Sequence, residues 1–370
     1  MAVLLAVGDI APDRPDPREC FDLVRDQLRG ADVVFGQLET SITERGSRLP
    51  QARHAVRGGP AIAPALKDAG FTVMSMAGNH CMDWGLDGFF DTIDNLRAAD
   101  IGVVGAGADI AQARAPLIAQ TPGGTVAFLA YSSILPMAYW AEERRPGCAP
   151  MRAHTIYEQI EHDQPGTPAR IHTYPHRGDL AALQHDIAAA KAKADVVVVS
   201  LHWGIHFVPA VLADYQRDVA RAAIDAGADM ILGGHAHILK GVELYRGKPV
   251  FYSLCNFATD LRMDEAHANS KSFKEIQTLS SNWIPDFDSL YNFPADSRMT
   301  MVVKAVIEDG VVRSTRLLPA FVNRNAQPEI LTRDDPRFDQ VVDYLQRMSD
   351  QVGLGVRFEA VGNEVQVVSA

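Results

Sequence analysis

Several apolar runs of this 370-residue chain end in residues that bind metal ions. The run 2–8 is followed by Asp9, and the run 32–36 leads into Glu39. The later runs 71–76, 195–201 and 229–232 lead into Asn79 and His80, into His202, and into His235 and His237. Mixed oxygen and nitrogen donors suit borderline divalent ions such as Mn, Zn or Fe. The pattern predicts a metal site for hydrolysis, because a bound divalent ion acidifies water.

Each of these residues has a commoner explanation when it is considered alone. Asp9 is a favoured helix N-cap, and Asn79 is a frequent turn residue. A buried histidine such as His202 is more often a hydrogen-bonded core residue than a metal ligand. The joint occurrence of these residues at successive strand ends is what favours a metal site.

The apolar runs predict buried β-strands that alternate with helices. Continuous apolar strands of this type are covered on both faces. Strands are predicted at 2–8, 32–36, 71–76, 101–104, 125–130, 195–201 and 229–232, and helices at 18–29, 60–69, 86–99, 179–193 and 212–226. This alternation indicates an α/β fold, in which ligands bind beyond the carboxyl ends of the strands.

The second half of the chain changes to short strands with turn signals. Hairpins are predicted at 241–254 and 299–318, and we expect both to complete a second sheet. Residues 132–178 and 258–297 lack clear periodicity and are too long for ordinary connections, so we interpret them as insertions that cap the site. The predicted organisation is a single catalytic domain at 1–330 and a C-terminal helix and tail at 331–370.

The formal net charge of −11 argues against two classes of partner. An acidic molecule repels nucleic-acid phosphates and anionic lipid, so neither nucleic acid nor a membrane surface is an expected partner. No run reaches the roughly 18 apolar residues of a spanning helix, and the cysteines form no CxxC pair. We therefore expect a cytoplasmic protein without a membrane anchor.

The order of the motifs resembles that of a known superfamily. Gly8-Asp9, Leu38-Glu39, the GNHxxD segment 78–83, the HWG segment 202–204 and the GHAH segment 234–237 follow one another as in calcineurin-like metallophosphoesterases. Leu-Glu in place of a second Gly-Asp is similar to the CapA branch, the poly-gamma-glutamate capsule biosynthesis proteins. The resemblance covers 1–131 and 179–258. It implies a metallophosphatase-like four-layer α/β/β/α sandwich with mixed sheets and insertions that cap the metal site.

The resemblance also implies a role for each motif residue. Two divalent ions, whose identity as Mn, Zn or Fe stays open, would be bridged by Glu39. Asp9 and His237 would hold one ion; Asn79, His202 and His235 would hold the other; His80 would protonate the leaving group or orient the substrate; and Asp83 would hydrogen-bond a histidine. The superfamily usually has Asp-x-His on the first strand, whereas Ile10 and Ala11 follow Asp9 here. That histidine ligand is therefore absent or comes from elsewhere.

The insertion 132–178 carries arginines and histidines that suit an acidic substrate. Arg152 and His154 are candidate substrate contacts on this hypothesis, and a solvated loop is the alternative. Trp203 and Asn256 are further candidates, with packing against the sheet as the alternative for Trp203. The aromatic second insertion suits a lid or a homodimer contact.

Three functions are compatible with these residues. The leading hypothesis is a dinuclear metal-dependent hydrolase that cleaves an amide bond of gamma-glutamyl type, or an ester bond, in a small acidic substrate. The first alternative is a phosphoesterase for a nucleotide or sugar phosphate, and the second is a non-catalytic capsule-assembly protein. A zincin is rejected because His202 and His206 have the right spacing but lack the glutamate of HExxH.

Overall fold

The structure of the chain is a computed structural model that describes residues 1–52, 55–161, 163, 166–280 and 283–370. Its strands are β1 (Ala2–Ala11), β2 (Val33–Leu38), β3 (Ser41–Ile42), β4 (Arg57–Gly58), β5 (Val73–Ser75), β6 (Gly102–Val104), β7 (Ala106–Gly107), β8 (Leu117–Thr121), β9 (Gly124–Ser132), β10 (Gly147–Cys148), β11 (Ala153–Glu158), β12 (Arg170–Pro175), β13 (Val196–His202), β14 (Met230–Gly234), β15 (Val242–Tyr245), β16 (Lys248–Phe251), β17 (Asn256–Thr259), β18 (Met299–Glu308), β19 (Val311–Val322), β20 (Pro328–Ile330), β21 (Val356–Val361) and β22 (Glu364–Ser369). Its helices are α1 (Arg25–Arg29), α2 (Ile62–Ala69), α3 (Gly85–Ala98), α4 (Ile110–Ala113), α5 (Arg177–Lys191), α6 (Asp214–Asp225), α7 (Glu265–Ala268), α8 (Lys271–Gln277) and α9 (Pro336–Gln351), with 3-10 turns at Pro17–Phe21 and Ala295–Arg298.

Two large mixed sheets form the body of the protein. Within the described residues the first sheet contains ten strands in the order β21-β22-β19-β18-β1-β2-β5-β6, with β17 beside β1 and β20 beside β19. The second sheet has the order β15-β16-β14-β13-β9-β8. The central strands run parallel, β1 with β2 and β13 with both β14 and β9. Parallel strands bring their carboxyl ends to one edge, where ligands bind.

The sheets pack face to face, and neighbouring residues of β9 point into different layers. Phe128 faces the first sheet and stacks on Phe35 of β2, with ring centroids 5.7 Å apart. Ala127 and Leu129 point the other way and pack with α5 and α6. Helices α2 and α3 pack against the first sheet. The predicted α/β class and its four-layer arrangement are therefore confirmed.

The strands and helices predicted for the α/β region lie close to their expected positions, but one hairpin was assigned to the wrong sheet. The 299–318 hairpin, β18 and β19, joins the first sheet and not the second. Strand β18 pairs with β1 from Ala2 opposite Ile307 to Ala6 opposite Val303. The reason is that β2 covers one edge of β1, and the other edge needs a partner. The 241–254 hairpin lies in the second sheet, as predicted.

Two regions are more regular than the sequence indicated. The tail of 331–370 folds into the β21–β22 hairpin, and β22 pairs with β19, so this region extends the first sheet. The 132–178 insertion contains the antiparallel pair β11 and β12. Neither of these strands contains a buried residue. Strands without a buried face show no apolar alternation, which is why the sequence did not reveal them.

The helices are short compared with the thickness of a membrane. The helix α9 has 16 residues, whereas a helix needs about 20 to cross the hydrocarbon core. In the described part of the chain, no helix is both long enough and apolar enough to span a bilayer.

A buried ion pair connects the first strand to the second insertion. Arg14 follows β1, and its guanidinium bonds the carboxylate of Asp260, which follows β17. The two side chains are only 3% and 1% exposed. Arg14 also donates to the backbone carbonyl of Asn325 at 2.7 Å. Loss of one member of such a pair leaves the other charge buried alone.

We expect Arg14→Ala to lower the free energy of unfolding by about 3–5 kcal/mol, because Asp260 would be left without its counter-ion. Arg18→Ala is the matched control, since Arg18 pairs with Asp16 at the surface and its side chain is 64% exposed. Urea unfolding curves measure both variants, and the control should keep the midpoint of the parent. Equally small losses in the two variants would contradict the role of the buried pair.

Candidate metal centre

The predicted ligands meet at the edge where the parallel strands end. Asp9 lies near the end of β1, and Glu39 directly follows β2. His202 is the last residue of β13 and is paired in register with Gly234 of β14. The loops that follow β5 and β14 supply Asn79, His80, His235 and His237.

Three of these side chains form a buried donor group. One donor atom from each of Asp9, Glu39 and His202 lies within 4.8 Å of the others. Among the described residues, Asp9 Oδ1, Glu39 Oε2 and His202 Nδ1 find no hydrogen-bond partner. Buried polar atoms are almost always paired, because an unpaired one is costly. These three atoms therefore mark a position that a cation fits.

The electrostatics of the group lead to the same conclusion. Burial, followed by the charge of Glu39, raises the pKa of Asp9 well above its usual range. Burial raises the pKa of Glu39 to about 7. Burial also lowers the pKa of His202 and of His235 well below that of free imidazole. Neutral imidazoles beside two carboxylates are a donor set for a divalent ion, which would restore the charged form of both acids.

Glycines leave space beside the donor atoms. A Cβ atom at Gly234 would lie 2.9 Å from Asp9 Oδ1, and one at Gly78 would lie 2.8 Å from Glu39 Oε1. Both distances are shorter than van der Waals contact. A larger residue at either position would enter the donor group, so the glycines of the GNH and GHAH motifs are explained by close approach to the ligands.

Asn79, His202 and His235 also lie together. Nε2 of His202 is 2.7 Å from Asn79 Oδ1 and 3.2 Å from His235 Nδ1. A neutral imidazole carries one ring proton, and donation from Nε2 to the Asn79 oxygen leaves a lone pair on Nδ1. That Nδ1 is 3.5 Å from Glu39 Oε1. In this arrangement Asn79 sets the tautomer of His202, which is free to bind an ion through Nδ1.

A chain of hydrogen bonds holds His237. Its Nδ1 lies 2.7 Å from Asn256 Oδ1, and the Asn256 amide donates to the Tyr291 hydroxyl at 2.9 Å. This bond leaves Nε2 of His237 as the nitrogen that can bind an ion. The sequence predicts Asn256 as a substrate contact. The structure instead buries Asn256 completely and uses it to orient His237.

His80 and Asp83 form a hydrogen-bonded pair at the same edge. His80 Nδ1 donates to Asp83 Oδ2 at 2.6 Å, and the Tyr139 hydroxyl donates to Asp83 Oδ1 at 2.9 Å. Burial disfavours a charged His80, but the hydrogen bond and charge of Asp83 more than offset it and raise the pKa of His80. Because Nδ1 is used in the bond to Asp83, the second proton of a charged His80 lies on Nε2.

Three predicted substrate contacts lie outside the site. Trp203 is completely buried and stacks on Tyr252 with centroids 5.8 Å apart, so it packs against the sheet. Arg152 donates to Asp179 at 2.8 Å, which holds its guanidinium near the start of α5. His154 lies on the exposed strand β11. None of these three residues lines the cavity at the metal centre.

One histidine at the centre is missing from the predicted ligand set. The ring centroid of His206 lies 3.8 Å from that of His235 and 5.4 Å from that of His237. His206 lies four residues after His202, but this spacing brings two side chains together only on a helix, so it did not indicate that His206 joins the site. The chain turns at Gly204, where φ is +88°, and this turn is not evident from a lone glycine.

A cavity of about 600 Å³ opens beside the metal centre. Its lining includes Glu39, Asn79, His80, His206 and His237. Much of the remaining lining is apolar and comes from the second insertion, namely Leu261, Met263, Phe273, Ile276, Leu279, Trp283 and Phe293. The first insertion contributes Ile134, Leu135 and Pro136. Both insertions thus reach the site.

Most of the chain matches the model of a known protein family. The family model described as bacterial capsule synthesis protein PGA_cap matches residues 3–261, which contain every predicted ligand named above. The chain belongs to this family. The resemblance to CapA proteins that the motifs indicated is thereby confirmed.

The curated relatives carry related names. The PGA biosynthesis protein CapA of Bacillus subtilis is 31% identical over 242 residues, which cover 65% of this chain and 56% of the relative. The capsule biosynthesis protein CapA of Bacillus anthracis is 32% identical over 250 residues, with coverages of 65% and 53%. A probable polyglutamine synthesis accessory protein of Mycobacterium tuberculosis is 33% identical over 250 residues, with coverages of 65% and 59%. The matched part of the chain spans little more than half of each relative.

Two solved structures align with most of the chain. A phosphatase from Mycoplasma pneumoniae is 12% identical, with a TM-score of 0.47 and coverages of 95% of this chain and 98% of that one. A calcineurin-like phosphoesterase from Bacillus subtilis is 14% identical, with a TM-score of 0.44 and the coverages 95% and 98%.

Asn256→Ala should weaken metal binding by about 10- to 100-fold, because His237 would lose the bond that fixes its tautomer and orientation. Calorimetric titration of metal-stripped protein with Zn²⁺ measures the affinity. Asn95→Ala is the control, since the Asn95 amide donates to the Ile42 carbonyl at 2.9 Å and touches none of the ligands. An unchanged affinity together with a higher KM would return Asn256 to substrate binding.

Proposed function

We propose that this protein is a dinuclear metal-dependent hydrolase that cleaves an amide or ester bond. The observation that carries the proposal is the group of unpaired, buried donor atoms on Asp9, Glu39 and His202. It lies beside a cavity that the hydrogen-bonded pair His80 and Asp83 also lines. A metal that served folding alone would need neither the cavity nor this pair. Mn, Zn and Fe all accept the donor set.

The proposed reaction divides between the ions and the chain. Bound divalent ions would acidify a water molecule and neutralise the negative charge that develops on the group under attack. Asp83 keeps a proton on Nδ1 of His80, so a second proton can reside on Nε2 and pass to the leaving atom. Tyr139 holds Asp83 in place through its hydroxyl. The apolar lining of the cavity keeps bulk water away from the attacked bond.

The lining of the cavity bears on the scissile bond. No arginine or lysine is among the described residues that line it, so beyond the bound ions a phosphoryl group would find none of the basic side chains that often help to hold it. Amide cleavage is also in keeping with relatives named for PGA and polyglutamine synthesis, whose polymers are amide-linked. The same absence of arginine and lysine side chains gives no support to the acidic substrate expected from the sequence. The scissile bond that we propose is therefore an amide or an ester. An acidic substrate is not part of the proposal.

Metal analysis and activity assays on the purified protein test the proposal. Inductively coupled plasma mass spectrometry should find about two equivalents of metal after reconstitution with Mn²⁺ or Zn²⁺. Turnover on a panel of amides and esters, gamma-glutamyl amides included, should exceed turnover of bis-p-nitrophenyl phosphate. Preferred cleavage of the phosphodiester would make the protein a phosphoesterase instead. Full metal content without any turnover would favour an assembly protein.

His80→Ala should lower kcat by about 10²- to 10⁴-fold while the metal content stays at the parent value, because the leaving atom loses its proton donor. His185→Ala is the matched control, since His185 is an exposed histidine on α5. Parent and variants are compared with the best substrate of the panel. A His80→Ala variant with the parent kcat would remove His80 from the mechanism.

A further inference from the structure

The ring of His206 packs against both histidines of the GHAH segment. Its centroid is 3.8 Å from that of His235 and 5.4 Å from that of His237, and its plane is within 7° of the His237 plane. Nδ1 of His237 is in turn 3.4 Å from Asp9 Oδ2. His206 therefore belongs to the same cluster of imidazoles and carboxylates as the predicted ligands.

The backbone on either side of this ring is fixed to the GHAH segment. The Trp203 N–H donates to the Gly234 carbonyl at 3.4 Å, and the Phe207 N–H donates to the Ala236 carbonyl at 3.0 Å. Phe207 has a φ of +53°, which a residue other than glycine adopts only where its surroundings impose it. The buried Lys240 donates to two carbonyls just beyond. A backbone fixed in this way limits where the His206 ring can lie, so little freedom would be lost when the ring binds an ion.

An ion bound by Asp9 would find few further donors on the first sheet. Ile10 and Ala11, the next residues of β1, are buried and apolar and offer none. With Glu39 and His237 the ion would have three protein donors, and ions of this class take four or five ligands, water included, so a further protein donor can be accommodated. We propose that His206 is the fourth protein ligand of this ion. The metal centre would then be completed from the loop after β13.

Titration of metal-stripped protein with Co²⁺ or Zn²⁺ tests this assignment without a substrate. His206→Ala should bind one of two equivalents at least about 100-fold more weakly, since loss of a ligand costs more than loss of its support. The visible spectrum of the Co²⁺ form should change, and added imidazole should restore it. His267→Ala is the matched control, because His267 lines the same cavity but packs on Phe273, with centroids 6.0 Å apart.

The outcomes separate a ligand from a histidine that faces the substrate. Parent affinity for both equivalents, with an unchanged Co²⁺ spectrum, would overturn the assignment. An effect of His267→Ala equal to that of His206→Ala would do the same, because it would reflect the cavity as a whole. Unfolding curves in a chelator show whether each variant folds, and His206→Gln replaces His206→Ala if that variant does not.

A second inference concerns the substrate and rests on the proposed hydrolase. Phe207 and Phe293 pack around His237, with centroids 5.5 and 5.3 Å from its ring. Trp283 lies 4.9 Å from Phe207 between centroids, and Ile276 extends the same lining. The apolar lining of the cavity thus starts directly beside His237, a predicted metal ligand. A substrate group next to the cleaved bond would contact this lining.

The charges around the cavity disfavour an anionic group there. Apart from the histidines, the charged residues among its described lining are the carboxylates Glu39, Asp83, Asp260 and Glu275. Arg14 is already paired with Asp260, so it offers no free positive charge to the aromatic part of the lining. We infer that the substrate carries an uncharged aromatic or branched aliphatic group beside the scissile bond, and that it carries no carboxylate at that position.

Hydroxamates, which bind divalent ions, probe this inference without relying on turnover. Calorimetry on the Zn²⁺ protein should find 3-phenylpropionohydroxamate bound about 10-fold or more tightly than acetohydroxamate, because its ring leaves water. The monohydroxamate of succinic acid should bind more weakly than either. Ile276→Ser should reduce the preference for the phenyl compound. Ile284→Ser, in the same insertion but 82% exposed, should not.

The probes also separate this inference from the proposed function. Selective binding of the phenyl compound by a protein that hydrolyses nothing would preserve the apolar subsite and reject the hydrolase. Equal or tighter binding of the succinic compound, or of a cationic hydroxamate, would overturn the apolar subsite. Failure of every hydroxamate to bind would overturn it as well.

Discussion

Two buried carboxylates, Asp9 and Glu39, set the constraint on which the rest of this structure depends. Each keeps an oxygen that has no hydrogen-bond partner in the described part of the chain. Burial raises the pKa of both, and the charge of Glu39 raises the pKa of Asp9 further. Two such groups are tolerated in a protein interior when a cation lies beside them. The neutral histidines around them add donors without adding charge, which is what a divalent ion requires.

The surrounding residues can be understood as supports for this group. Asn79, Asn256 and Asp83 each bond one histidine and so determine which ring nitrogen carries the proton. Gly78 and Gly234 leave space where a Cβ atom would meet a carboxylate oxygen. The parallel order of the central strands brings all these loops to one edge. All of these residues lie within residues 3–261, the part of the chain that matches the PGA_cap family.

The sequence was informative where chemistry is carried by the residue types themselves. Asp9, Glu39 and His202 could be predicted as neighbours because each follows an apolar strand, and parallel strands end together. The functions of Asn256 and His206 could not be predicted in this way. Asn256 lies near His237 because β17 pairs with β1, and His206 lies near the site because the chain turns at Gly204. Both positions depend on tertiary contacts that the sequence does not reveal.

The fold shows the same division. Apolar runs identified the buried strands, but the partner of β18 follows from which edge of β1 is open. The β11–β12 hairpin lacks a buried face and gave no pattern to read. Arg145 and Arg152 of that insertion pair with Glu142 and Asp179, and none of its described arginines lines the cavity, so a basic composition did not translate into a basic cavity. Composition indicates which groups are available, whereas pairing decides which of them face a ligand.

The most direct measurement is a crystal structure of the Zn²⁺ or Mn²⁺ protein with anomalous data collected at the metal edge. We expect two peaks about 3.5–4 Å apart, one of them beside Asp9 and both within reach of Glu39. Carboxylate oxygens should lie about 2.0–2.2 Å from the Zn²⁺ positions. A protein that crystallises with metal yet shows no anomalous peak between Asp9, Glu39 and His202 would contradict the central claim.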